Sequence, residues 1–146
     1  MLNTKANNIN TIKNIGDDFH SKENWLQQAQ VHNSSELSNQ YAYICQQHKQ
    51  DKKWVLFINP EESSIEQLAK THGIDVSKIL MVNYKNQTKT RNKIALTQIT
   101  TVLSKGNCSA VILSNAEFTH KEVKQLAQAA NFGRTQCVVI KKQLLH

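Results

Sequence analysis

The residues that could carry chemistry are few and scattered. The 146-residue chain holds three cysteines (Cys45, Cys108, Cys137) and six histidines (His20, His32, His48, His72, His120, His146). They form no C-x-x-C and no H-E-x-x-H, the spacings that place metal ligands together. Cys45 and His48 fall at i, i+3 on an expected helix, but two ligands do not make a site, so no metal is expected. Cys108 precedes an expected strand and His120 begins an expected helix, so the two could lie near one edge. Without a nucleophile elbow they read as a packed thiol and a solvated histidine. Ser114 lacks the glycines of G-x-S-x-G, and the adjacent Glu61 and Glu62 point differently, as in a solvated turn. The only glycines are Gly16, Gly73, Gly106 and Gly133. Their spacing rules out G-x-x-x-x-G-K-[ST] and G-x-G-x-x-G, the loops whose backbone approaches phosphate. No cofactor is expected.

The elements that would position these residues alternate regularly. Residues 1–33 are rich in asparagine and show no clean apolar period; they read as a flexible lead with a short helical turn near Trp25 and Leu26. From residue 34 a single domain is expected to run to 146. Ser34 or Ser35 caps a helix carrying Leu37, Tyr41, Ile44 and Cys45 on one face. Trp54–Ile58 is a short apolar run, the mark of a strand buried on both faces, stopped by Asn59-Pro60. A helix follows from Ser63 or Ser64 through Leu68 and Ala69 to Gly73, then a strand at Ile79–Val82. A third helix bears Ile94, Leu96, Ile99, Val102 and Leu103, and the next strand is Ala110–Leu113. Thr119 and Glu122 form a capping-box signature for a helix ending at Gly133, before a last strand at Cys137–Ile140. Strand–helix alternation of this kind implies an α/β fold with a mostly parallel sheet and helices on both faces. Strand order does not follow from the sequence.

The charge is unevenly placed. Residues 1–50 carry four basic and four acidic groups, so the whole +7 resides in 51–146. That half either attracts acidic partners or is simply well solvated. Lys85, Lys89, Arg91 and Lys93 crowd the loop and first turn of the third helix without an acid among them. Cations there oppose the helix dipole, which suggests a patch for an anionic partner unless the helix starts later, near Lys93. No apolar run approaches the roughly 18 residues of a membrane span, and the N-terminal residues lack the apolar stretch of a secretory signal. A cytoplasmic location is expected.

The stretch KKWVLFINPEESSIEQLAKTHGIDVSKILMVN resembles the SulA family, in Lys53-Trp54, the Val55–Ile58 strand, Pro60, the Glu66–Lys70 helix, Gly73-Ile74 and Lys78. ALTQITTVLSKGNCSAVILSN and LAQAANFGRTQCVVI are similar to the family's later helices and strands, for coverage of roughly residues 50–141. The resemblance implies a RecA-like three-layer fold without the ATP-binding loop. It implies a cell-division inhibitor of the SOS response that binds FtsZ, blocks its polymerisation and GTPase activity after DNA damage, and catalyses nothing. It carries Lys53, Ile58, Leu68 and Lys78 over as FtsZ contacts, with Leu68 standing where the family has an aromatic. Periodicity alone reads Ile58 and Leu68 as ordinary core. The resemblance also implies a homodimer and a C-terminal tail read by the Lon protease, shortened here to KKQLLH.

Two rivals remain. One is a RecA-like accessory of the ImuA group binding nucleic acid or RecA through the basic cluster, although Tyr84 is the only aromatic near it for stacking. The other is an enzyme at the carboxyl ends of the strands, using Glu61, Glu62, Asn115 and Lys85.

Overall fold

The computed structural model describes residues 24–83, 93–114 and 116–143, of which 93–95 by backbone alone. The elements are β1 (Leu26–Val31), α1 (Ser34–Gln47), β2 (Trp54–Ile58), α2 (Glu62–Lys70), β3 (Ile79–Val82), α3 (Lys93–Lys105), β4 (Cys108–Ser114), α4 (His120–Gly133) and β5 (Gln136–Lys142). The five strands form one sheet in the order β1-β5-β4-β2-β3. Every pairing is parallel. All N-terminal strand ends therefore share one edge, here the lower, and all C-terminal ends share the upper.

Side-chain alternation along the strands builds two cores. Val55, Phe57, Ala110, Ile112, Val138 and Ile140 pack with Leu37, Tyr41, Ile44 and Leu68 of α1 and α2. Leu56, Ile58, Val111, Leu113, Cys137 and Val139 pack with Ile99, Leu103, Leu126 and Ala130 of α3 and α4. The result is the expected three-layer α/β sandwich. All seven residues of β4 are buried, as a central parallel strand with helices on both faces must be.

Several local expectations need correction. The helical turn near Trp25 and Leu26 is instead the edge strand β1, paired along its length with β5. Its sequence, LQQAQV, buries only the two terminal apolar residues fully, so it lacks the apolar signature of an inner strand. The cap of α1 is Asn33, whose side chain accepts from the Glu36 backbone N–H, rather than Ser34 or Ser35. The expected box at Thr119 and Glu122 is present with both of its hydrogen bonds. α4 ends at Gly133 as expected, and the residue after it, Arg134, is left-handed. Gly133 serves a different need: a Cβ there would run into the Leu103 carbonyl oxygen of α3.

Candidate docking surface

At the upper edge, β2 and β4 are neighbours whose onward connections diverge, toward β3 and toward β5 respectively. Open α/β sheets place ligands at such a divergence. Here the groups satisfy one another. The Tyr41 and Ser114 hydroxyls share a buried 2.6 Å hydrogen bond. Burial raises the Tyr41 pKa. Lys142 Nζ donates to Glu61 Oε2 at 2.8 Å and to Ser34 Oγ at 3.1 Å, while Ser64 Oγ donates to Glu61 Oε1 at 2.8 Å. The ammonium of Lys142 foremost, then the hydroxyls of Ser34 and Ser64, hold the Glu61 carboxyl down to about 2. Both carboxylate oxygens are thus engaged in structural bonds. Glu62 is exposed at the start of α2, and Asn115 and Lys85 lie outside the described residues. Among the described residues the upper edge assembles no nucleophile with a base.

The other chemical candidates are also accounted for. Cys108 opens β4 at the lower edge and His120 opens α4 at the upper, so the seven-residue strand separates them. They do not share an edge as expected. All three cysteines are buried, and burial pushes the Cys45 thiol up to about 11 and that of Cys137 up to about 12. His48 caps α1 and ties Asp51 (2.9 Å) to Gln136 (2.7 Å). No group of three or more His, Cys, Asp or Glu side chains among the described residues is arranged to hold a metal ion.

The four residues carried over as partner contacts separate into two pairs. Lys53 and Lys78 are exposed at the lower edge, immediately before β2 and β3, two strands that pair in parallel. Ile58 ends β2 at the upper edge and is 4 % exposed, and Leu68 of α2 is fully buried. They belong to opposite cores. Here the periodic reading holds: both are core, and neither side chain is presented to a partner. Of the basic cluster, Lys85, Lys89 and Arg91 lie outside the described residues, and Lys93 begins α3.

The lower edge adds residues that sequence reasoning did not assign to a surface. Between Trp54 and Val55 the pairing with β4 shifts by one, leaving Ser109 as the extra residue opposite. Trp54, read from sequence as buried on both faces, is 43 % exposed. Beside it, Asp75 caps a 3-10 turn at Val76–Lys78 by accepting from the Ser77 N–H at 3.0 Å. That backbone bond lowers the Asp75 pKa. Val76 on this turn is exposed, and Lys78 Nζ donates to the Asp51 carbonyl at 2.8 Å, clasping the start of β3 to the approach of β2. The surface therefore combines exposed Trp54 and Val76 with Lys49, Lys52, Lys53 and Lys78, against Asp51 and Asp75. It can dock a partner with an apolar spot and acidic surroundings. The one sequence signal for it was the Lys-Lys-Trp junction, where charge meets an aromatic at the mouth of a strand.

The sequence profile of the family described as cell division inhibitor SulA matches residues 40–137. The chain belongs to the SulA family. The crystal structure of SulA from Pseudomonas aeruginosa superposes with a TM-score of 0.64, at 21% identity, over 81% of this chain and 98% of that one. Among curated proteins none matches. SulA is a cell division inhibitor, and the span matched to its family includes β2, β3, the 3-10 turn and thus Trp54, Val76 and Lys78 of the lower surface.

Proposed function

We propose that this protein stops division by binding FtsZ through the lower surface and capping it, which blocks polymerisation and GTPase activity. The observation that supports this reading best is the pairing of an exposed tryptophan with the lysines at the mouths of β2 and β3, in a chain of the SulA family. A polymer that grows head to tail uses one heterologous contact repeatedly, so covering one face of a subunit removes it from growth. Such an inhibitor needs affinity and abundance but no catalytic step. Trp54 is the apolar anchor and Lys53 and Lys78 steer an acidic partner. Ile58 and Leu68 contribute from beneath, by fixing β2 and α2. In this reading the protein is a cytoplasmic homodimer made in the SOS response and cleared by Lon.

The test is FtsZ GTPase activity and sedimentation against rising amounts of this protein. Both should fall and level off near a stoichiometric ratio. Lys78→Glu should weaken FtsZ binding by about tenfold, the scale of reversing one interfacial charge, in a protein whose circular dichroism is unchanged. An unaltered dissociation constant would remove Lys78 from the interface. No loss of GTPase activity or polymer at several-fold excess would remove FtsZ as the partner, and DNA and RecA would be tested next.

A further inference from the structure

The two helical layers carry opposite charge on their outer faces. α1 and α2 bear Glu36, Glu62 and Glu66, all exposed, against the single cation Lys70 at the lower end of α2. Across the sheet, α3 and α4 bear exposed Lys105, Lys121 and Lys124. The single acid of those two helices, Glu122, has its carboxylate occupied in the capping box. Each layer also leaves one large aromatic in water. Tyr43 of α1 is 60 % exposed and Phe132 of α4 80 %, the two most open large apolar side chains among the described residues. Phe132 lines a groove of about 530 Å³ between α3 and α4, walled also by Thr97, Thr100, Gln125 and Gln128.

We propose that the α3–α4 face of one copy receives the α1 face of a second copy, with Tyr43 entering the groove beside Phe132 and Glu36 facing Lys121 and Lys124. Three observations carry this. First, α1 and α4 lie back to back over the same two strands. α1 runs down β5 from Ser34, bonded to Lys142 at the upper edge, to the capping His48, bonded to Gln136 at the lower, and Tyr41 reaches Ser114 of β4. α4 joins β4 to β5 directly, and its Leu126 and Ala130 pack with Val111 and Cys137 on the other face. A copy displaced along the sheet normal therefore sets its α1 on the α4 of the first. Second, the order of groups down the two helices agrees. Glu36 lies in the first turn of α1, and Lys121 and Lys124 lie within the first five residues of α4. Tyr43 follows the start of α1 by about 14 Å and Phe132 that of α4 by about 18 Å, a difference of less than one turn. Third, the charges match. At about 0.15 M salt the screening length is about 8 Å, so the facing groups decide the contact rather than the net +7 of the chain. The contact is heterologous, so a pair keeps one free face of each kind and association continues as a stack. Two helices abreast, each about 20 Å long, present about 400 Å² per copy, well below a permanent interface, so the stack is weak, with a Kd of about 0.1 mM.

Sedimentation equilibrium of the full chain, at concentrations spanning that Kd, tests this. The weight-average mass should rise with concentration and pass that of two chains without levelling. Phe132→Ser and Tyr43→Ser, which alter exposed side chains, should each weaken association about tenfold, the scale of losing one aromatic contact. Lys121→Glu should weaken it about threefold, the scale of one exposed ion pair, and adding Glu36→Lys should restore it. To locate the contact, photoreactive benzoylphenylalanine replaces Tyr43 in an equal mixture of isotopically light and heavy protein. Light-to-heavy crosslinks to peptides covering 96–105 or 121–134 are expected; the sheet lies between a chain's own α1 and α4. A constant one-chain mass, or association unmoved by these substitutions, would overturn the proposal. So would linkage to the α1 of the other copy. A plateau at two chains would leave only a closed homodimer and overturn it equally. Because FtsZ is absent from this test, its outcome is independent of the division-inhibitor reading.

Discussion

The Glu61–Lys142 pair shows how one side-chain contact couples distant parts of the chain. The residues lie 81 positions apart, and their 2.8 Å bond joins the β2–α2 turn to the end of the last strand. The folded carboxyl sits near 2, below its ordinary 4.5, so the folded state favours the ionised form. A depressed acid contributes stability above its unfolded pKa and loses it as pH falls through the folded one. The contribution should therefore be full above about pH 5 and vanish toward pH 2. Both side chains are about a quarter exposed, so solvent screens the pair and about 1–2 kcal/mol is the appropriate scale. Glu61→Gln should cost that much at neutral pH and flatten the acid limb of a urea-midpoint curve. An acid limb of unchanged slope would mean that another carboxylate sets it. None of this was legible in the sequence, where Glu61 read as part of a solvated turn, because the partner comes from the far end of the chain. Ile58 and Leu68 teach the converse. Their periodic positions already marked them as core, and only the family resemblance lifted them toward a surface.

At the scale of elements, the strands with strong apolar runs were legible. Trp54–Ile58 and Ile79–Val82 emerged with the expected bounds, and the cap of α4 formed as its T-x-x-E signature required. β1 was not legible, since an edge strand of glutamines carries almost no apolar signal. The register shift between β2 and β4 was hidden for a related reason: it depends on two strands, and each alone looks regular. The glycines ending the helices were placed correctly but for differing reasons. Gly73 has a φ of +66° with open space around it. Gly133 lies where α4 crosses the Leu103 carbonyl so closely that no Cβ fits. Gly73→Ala should thus cost only backbone strain, about 1 kcal/mol. Gly133→Ala must push α3 and α4 apart, and should cost about 2–3 kcal/mol with a fall in Tm of about 5–10 °C. Equal melting temperatures for the two variants would show that the helix–helix approach is not tight in solution.

At the scale of the whole molecule, the two edges of the parallel sheet present different surfaces. The described polar side chains of its upper edge, where related architectures place a ligand, hydrogen-bond one another. Its lower edge leaves Trp54, Val76 and the lysines open. The sequence indicated that the surplus charge lies beyond residue 50, but not at which edge, because that depends on strand direction and order. The division of labour within the lower surface makes a kinetic prediction. Lysine charges act over roughly a Debye length, about 10 Å at 0.1 M salt and shorter above it, while an apolar anchor is indifferent to screening. Under the proposed function, raising salt from about 0.05 to 0.3 M should therefore slow FtsZ association about tenfold while changing dissociation little. Trp54→Ala should do the opposite, speeding dissociation with association nearly unchanged, since it removes contact area and no charge. Stopped-flow or surface-binding kinetics separate the two. If salt instead accelerated dissociation and left association constant, the lysines would be tightly paired in the bound state rather than steering the encounter.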